Sequence, residues 1–411
     1  MAKFIHMADL HLGRAFQTGM VTREEERRKA LEATYLSFEQ AIEEAIDYQV
    51  DFIVIAGDIY DDASRSVKGQ HRFRQALEVL NKQHIHVYAV HGNHDPLSFE
   101  EGLLHIPENL TVFPPEGKTV IHISKERERI ALSGFSYPEA SYTRSPLGKY
   151  PKRAEEDFHI GILHGQEGTI DGHEPYAPFR VSELTALGYD YWALGHIHER
   201  QVLQEDPPIR YSGNIQGTHR KEQGEKGVEL VRLTAAETKN MFIPTAPIVW
   251  KTLTVPISGM ESEDEFMQSI ETQMEALDHD TTVMITLVIT GEGPLHQVFS
   301  DIDKQQEWIA FLKDEIAGPN CWVDRIRMAT KPEFNRSEWR NEGYLSGDIV
   351  RAREAVTEED NHEITSELEK NGKVRRAIKE MDKWTEEDWR KIWDEAEHLL
   401  IGKLSDEERK R

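Results

Sequence analysis

Residues 85–95 read Ile85-His86-Val87-Tyr88-Ala89-Val90-His91-Gly92-Asn93-His94-Asp95. The apolar, β-favouring start predicts a strand over 85–90, which runs directly into a loop carrying Asn93, His94 and Asp95. The stretch Asp51-Phe52-Ile53-Val54-Ile55-Ala56-Gly57-Asp58 has the same grammar: a strand over 51–56, then a glycine and a carboxylate. So does the start of the chain, where a strand over 4–7 leads into Ala8-Asp9-Leu10-His11. Gly57 and Gly92 stand before Asp58 and Asn93, where a residue without Cβ allows a tight turn and close backbone approach.

Outward from these stretches, strands are predicted over 130–134, 159–163, 191–194 and 228–233. A long helix is predicted around 30–46, because Ala30, Leu31, Thr34, Tyr35, Phe38, Ala41, Ile42, Ala45 and Ile46 form one apolar stripe. A second is predicted over 69–81. Short strands alternating with helices up to about residue 235 define an α/β sheet with covered faces. Such sheets gather their sites in loops at the carboxyl ends of strands, and His164, His196 and His198 also follow strand ends.

Residues two apart in extended chain point the same way, so Asp9 with His11, and His196 with His198, can each face one centre. Asp9, His11, Asp58, Asn93, His94, Asp95, His164, His196 and His198 are therefore candidate metal-binding side chains. Singly, each reads as an ordinary turn residue or hydrogen-bonded histidine; their joint occurrence at strand ends carries the functional reading. Mixed carboxylate, amide and imidazole donors without a cysteine cluster suit a divalent ion such as manganese rather than structural zinc. Two such ions about 3.5–4 Å apart can clamp the attacking and leaving oxygens of a phosphoryl displacement, provided one carboxylate bridges them.

A chain of 411 residues exceeds one ordinary core, so two or three domains are expected. Pro244, Pro247 and Pro256 flank the apolar 248–255 and mark the first boundary, giving an expected division into 1–245, 246–337 and 338–411. The middle part reads as a small α/β unit: helix near 262–277, strand 282–289, helix around 308–316, strand 322–328. From 338 onward the chain carries 21 Asp plus Glu against 15 Lys plus Arg, and four of the eight tryptophans. There Thr385 and Asp388 form a capping-box pattern ahead of Trp389, Ile392, Trp393, Ala396, Leu399 and Leu400 on one helix face.

The single cysteine, Cys321, excludes an internal disulfide framework and suits a reducing compartment. No membrane-length apolar run and no signal-peptide pattern is present, so a cytoplasmic protein is expected. The net charge of −25 counts against nucleic-acid contact, although bound divalent cations reverse the local field at an acidic site.

Asp9-Leu10-His11, Gly57-Asp58, Gly92-Asn93-His94-Asp95, His164 and Gly195-His196-Ile197-His198 resemble the motifs of the calcineurin-like metallophosphoesterase superfamily. With His6-Met7-Ala8 and Leu12-Gly13 around the first motif, Ile59-Tyr60-Asp61 and Tyr211-Ser212-Gly213-Asn214, the chain is most similar to SbcD-like (YhaO-type) DNA repair exonucleases. The resemblance is good over roughly the first 230 residues and holds in outline beyond. It implies a metallophosphoesterase-type β-sandwich flanked by helices, a smaller α/β cap domain and a helical C-terminal tail.

It further implies one ion, most simply Mn2+, held by Asp9, His11, Asp58 and His198, and a second held by Asp58, Asn93, His164 and His196. His94 would stabilise charge on the phosphoryl group or protonate the departing oxygen, with Asp95 orienting its ring or serving as a plain turn residue. Position 61, His in some relatives, is Asp here. The implied activity is DNA exonuclease or endonuclease action in repair, on double-stranded ends or single strands, as a homodimer whose tail docks on an SMC-like coiled-coil ATPase. A small-phosphoester hydrolase and a non-catalytic scaffold are the competing readings. Arg65, Lys68, Arg72, Arg144, Lys149, Lys152 and Arg153 are candidate DNA contacts, while His6, His91, His159, His173 and His219 read as structural.

Overall fold

A computed structural model describes residues 1–17, 24–61, 66–97, 107–153, 155–168, 176–277, 281–316, 320–333, 340, 345–370 and 384–408. The chain divides into two compact units: Met1–Thr252 with Asp278–Thr286 and Ala317–Arg325, and Leu253–Leu277 with Leu287–Ile316 and Ile326–Arg411.

In the first unit, β1 (Ala2–Met7), β2 (Phe52–Ala56), β3 (His86–Val90) and β4 (Leu110–Val112) run parallel and are joined at β1 by antiparallel β11 (Gly227–Leu233) and β12 (Thr238–Pro244). The order is β12-β11-β1-β2-β3-β4. A second six-stranded sheet contains β5 (Lys118–Ile123), β6 (Arg129–Gly134), β7 (Phe158–His164), β8 (Tyr191–Gly195), β9 (Gln201–Glu205) and β10 (Pro208–Tyr211), in the order β5-β6-β7-β8-β10-β9.

The side-chain period of two decides how the layers stack. Phe4, Phe52, Val54 and Tyr88 from the first sheet pack with Ile130, Leu132, Ile160, Ile162 and Tyr191 from the second. The alternate residues Ile5, Met7, Ile53, Ile55 and Val87 meet Phe38, Ile42, Phe73 and Leu77 from α1 (Glu24–Asp47) and α2 (Val67–Lys82). Trp192, Leu194 and Tyr211 pack with Leu184 of α3 (Val181–Ala186) on the remaining face. Strands buried on both faces explain why 52–56 reads as a continuous apolar run.

This is the mixed α/β sandwich with flanking helices that the motifs imply. Helix α1 begins earlier than its stripe, with Glu24, Glu25 and Glu26 in the first turn where the helix dipole favours negative charge. Leu31 of the expected stripe is exposed instead. Helix α2 begins at Val67 because Ser66 caps it, accepting the Gly69 N–H at 3.0 Å. Strands β4, β5, β9, β10 and β12 carry no clear apolar signal, being short or lying at sheet edges.

Residues 248–331 add a three-stranded sheet in the order β13-β14-β15, from β13 (Ile248–Pro256), β14 (Thr282–Glu292) and β15 (Cys321–Lys331). The apolar segment read as a boundary marker is thus itself a strand. Helices α4 (Glu263–Glu275), α5 (His296–Ser300) and α6 (Ile302–Ile316) accompany it, with Phe266 against Phe299 at 4.9 Å between ring centres. In the tail, α7 (Leu345–Glu354), α8 (Glu358–Glu369) and α9 (Glu386–Glu408) are joined by Arg353 to Asp394 at 2.8 Å and the Trp393 indole N–H to Asn361 at 2.7 Å. The Thr385–Asp388 capping box forms, each side chain accepting the other residue's backbone N–H. Among the described residues no helix is long and apolar enough to cross a membrane.

Candidate metal centre

Five strand ends, from β1 and β2, β3, β7 and β8, deliver the candidate ligands. The loops are tied together by backbone bonds: Asp9 N–H to Gly57 O and His11 N–H to Asp58 O, both 3.0 Å. Asp9, His11, Asp58 and His196 all have positive φ, at 52°, 42°, 50° and 101°. Such backbone costs of order 1–3 kcal/mol per residue and persists only where the surroundings over-determine it. A Cβ on Gly92 would lie 2.3 Å from Asp58 Oδ1 and 2.6 Å from His164 Nε2, which is why that position has none.

Asp58 lies at the middle. Its Oδ1 accepts the His94 backbone N–H at 3.0 Å, and its Oδ2 lies 3.4 Å from His164 Nε2 and 3.8 Å from His11 Nε2. On one side, His11 Nε2 and His198 Nε2 are 3.1 Å apart, and the donor atoms of Asp9, His11 and His198 all lie within 4.8 Å of one another. On the other, His164 Nε2 and His196 Nδ1 face Asn93 Oδ1 at 3.0 and 3.2 Å. Asp9 also accepts the His196 backbone N–H at 3.0 Å. All seven ligands that the resemblance implies are therefore brought together.

Their outward ring nitrogens show what the inward ones offer. His164 Nδ1 donates to the Ala56 carbonyl at 2.9 Å, and His198 Nδ1 donates to Glu222 Oε1 at 2.5 Å. His11 Nδ1 lies 3.2 Å from Asp61 Oδ1. With Nδ1 of His164 and His198 committed outward, their Nε2 atoms face inward, where a cation would take Nε2 of His11 and His198, 3.1 Å apart, as ligands. Nitrogen and oxygen donors of this kind fit divalent ions.

Charge at the centre points the same way. Burial pulls the His164 ring down, but the Asp58 and Asp9 carboxylates outweigh it and raise it to about 9. Burial would push the Asp58 carboxyl up, yet His164 and His11 hold it well below the carboxylate range. His196 is lowered to about 3 by burial and by neighbouring His164. The carboxylate field is strong enough to hold positive charge on one ring and not on the next.

His94 and Asp95 are each held by neighbouring loops. The His94 ring is held by Asp61, whose carbonyl accepts its Nδ1–H at 2.9 Å. The Asp95 carboxylate accepts Gly92 N–H at 2.9 Å and Ile59 N–H at 2.8 Å, and lies 3.0 Å from His91 Nδ1. Asp95 thereby locks the second motif loop to the third. Sequence reading missed Glu222, which has no fixed spacing from His198, and Lys226, whose Nζ donates to the His198 carbonyl at 2.8 Å.

His6 is structural: Nε2 bonds the Leu194 carbonyl and Nδ1 the Tyr191 hydroxyl, each at 3.1 Å. His159 bonds Ser133 and stacks on Tyr189, while His219 accepts the Lys221 N–H. Among the basic candidates, Lys68 pairs with Glu32, Arg72 with Glu39 and Glu32, and Arg153 with Asp190; Lys149 donates to the Pro115 carbonyl. Arg144 and Lys152 are exposed. Arg65 and His173 lie outside the described residues.

Fold and site together define a hydrolase of phosphoesters built for two metal ions. The family model of calcineurin-like phosphoesterases matches residues 2–200, and that of the middle domain of metallophosphoesterase YhaO matches 250–331. The chain is 32% identical over 407 residues to the uncharacterized metallophosphoesterase YhaO of Bacillus subtilis, covering 98% of this chain and 97% of that one. It is 37% identical over 236 residues to the DNA double-strand break repair protein Mre11 of Archaeoglobus fulgidus, covering 52% of this chain and 50% of that one. To the Mre11 of Methanocaldococcus jannaschii it is 29% identical over 230 residues, 53% and 58% of the two chains. The chain belongs to the calcineurin-like metallophosphoesterase family.

Proposed function

We propose that the protein is a manganese-dependent DNA nuclease, an exonuclease or endonuclease of DNA repair. Asp9, His11, Asp58 and His198 would hold one ion, and Asp58, Asn93, His164 and His196 would hold the other. The observation that carries the chemistry is the Asp58 carboxylate, which faces an imidazole from each group at 3.4 and 3.8 Å. When bound, two such ions would polarise the phosphoester and supply an activated water at neutral pH.

The chain's own residues do the rest. With its Nδ1–H committed to the Asp61 carbonyl, His94 turns Nε2 to the substrate, where it protonates the departing oxygen or stabilises charge on the phosphoryl group. The bond from its backbone N–H to Asp58 Oδ1 fixes the His94 backbone against that carboxylate. Asp95 keeps the two loops in register.

Similarity to two archaeal Mre11 proteins, named for double-strand break repair, supports DNA as substrate. An open groove of about 570 Å³ in the tail, lined by Ile349, Val356, Ile364, Trp393 and Leu400, supports a helical partner, which we take to be an SMC-like coiled-coil ATPase. Assembly as a homodimer, cytoplasmic location and the division into nuclease (1–245), cap (246–337) and partner-binding (338–411) parts belong to the same proposal.

The test is degradation of end-labelled duplex DNA by the purified protein with manganese. No degradation, or equal degradation by Asp58→Ala, sinks the nuclease reading. Much faster cleavage of bis-p-nitrophenyl phosphate than of any DNA would favour a small phosphodiester, a reading supported by the commitment of Lys68, Arg72 and Arg153 to internal ion pairs.

A further inference from the structure

The imidazoles around Asp58 are not backed alike. His198 Nδ1 donates to the Glu222 carboxylate at 2.5 Å, and His11 Nδ1 lies 3.2 Å from the Asp61 carboxylate. On the other side, His164 Nδ1 is hydrogen-bonded to the neutral carbonyl of Ala56, with the Asp9 carboxylate, itself in the ligand set, at 3.9 Å, and Asn93 contributes a neutral oxygen. Among the described residues no carboxylate pairs with the His196 ring; Asp9 accepts only its backbone N–H.

Glu222 is itself built in. Its side chain is 15% exposed, and its second oxygen accepts Thr218 N–H at 2.7 Å and His219 N–H at 3.2 Å. The Thr218 carbonyl in turn accepts Gln17 N–H at 2.9 Å. His198 is pinned at its other end, where Lys226 Nζ and the Asn214 N–H, at 2.8 and 3.3 Å, bond its carbonyl. Two cations offset this extra negative charge, Lys226 and Arg14, whose Nε lies 3.3 Å from Asp61 Oδ1.

A carboxylate that accepts Nδ1–H fixes the ring and enriches the opposite nitrogen as a ligand, and loss of such a partner typically costs about 10- to 100-fold in metal affinity. We propose that Glu222 makes the two metal positions unequal: the Asp9–His11–Asp58–His198 position loads first and tightly, and the Asp58–Asn93–His164–His196 position loads second and exchanges. Glu222 is a positioning residue, since it acts through His198. The inference rests on the two-metal reading above.

Calorimetric titration of Mn2+ into the metal-stripped full-length chain tests it. The wild type is expected to show two steps separated by roughly 10- to 100-fold. At one equivalent its electron paramagnetic resonance spectrum should be that of an isolated ion rather than a coupled pair. Glu222→Gln keeps an acceptor for Nδ1–H but removes the charge, and should weaken only the tight step, by about tenfold. Asn93→Ala should abolish the weak step and spare the tight one, and Glu225→Gln, an exposed charge in the same loop, should change neither. Circular dichroism of each metal-free variant reports the fold. Two equal steps in the wild type, or a Glu222→Gln variant that weakens both steps alike or neither, overturns the proposal. Absence of any manganese binding overturns the two-metal reading beneath it.

Discussion

The Asp58 carboxylate accepts the backbone N–H of His94 at 3.0 Å, so the central metal-site candidate and the candidate acid are fixed to each other rather than merely adjacent. Their roles separate on mutation. His94→Gln should retain manganese stoichiometry while hydrolysis falls on the order of a hundred- to ten-thousandfold, the usual contribution of a positioned acid. Asp58→Ala should lose both metal and activity. Metal content by elemental analysis alongside initial rates distinguishes them, and loss of metal in His94→Gln would make that ring a ligand.

Gly92→Ala should be as damaging as loss of a ligand. The added methyl would meet Asp58 Oδ1 at 2.3 Å and His164 Nε2 at 2.6 Å, so two metal-site side chains must move together. Displacement of that kind costs about a hundredfold in rate. Rates and manganese affinity should fall with little change in thermal unfolding of the metal-free protein.

Buried His6 makes the fold acid-sensitive. Burial holds its pKa down at about 3 against an ordinary 6.5, so between those values the unfolded chain binds a proton that the folded ring refuses. Its contribution is complete above pH 6.5 and lost as pH falls toward 3. Urea midpoints measured across that window should decline, and His6→Gln should be less stable at neutral pH but show a flatter decline. An unchanged slope would assign the acid sensitivity to other groups.

Trp393 bonds Asn361 and lines the tail groove. Pull-down of a coiled-coil ATPase by the full-length chain should be lost in a Trp389→Ala, Trp393→Ala double variant, while hydrolysis of bis-p-nitrophenyl phosphate is unchanged. Retained binding would remove the docking proposal.

The sandwich was legible where strands are buried on both faces: 52–56 and 86–90 announce themselves because every residue in them must be apolar or aromatic. The edge strand β5 does not, since Ile121 and Ile123 are exposed and its pattern resembles that of a loop. The seven metal-site candidates were legible because backbone geometry places them, His164 as the last residue of its strand and the others one or a few residues past a strand end. The residues that orient them were not. Glu222 reaches His198 across 24 positions and Lys226 reaches it across 28, distances over which local spacing carries no information. The contact of the His94 ring with the Asp61 carbonyl was equally hidden, lying across 33 positions.

Left-handed backbone at Asp9, His11, Asp58 and His196 has one more consequence. These are conformations that glycine adopts freely and side-chain-bearing residues resist. Replacing any of the four by glycine would relax the metal-free chain locally while emptying the centre of a donor. The protein would be easier to fold without its site, and the tension between the two is written into four φ angles.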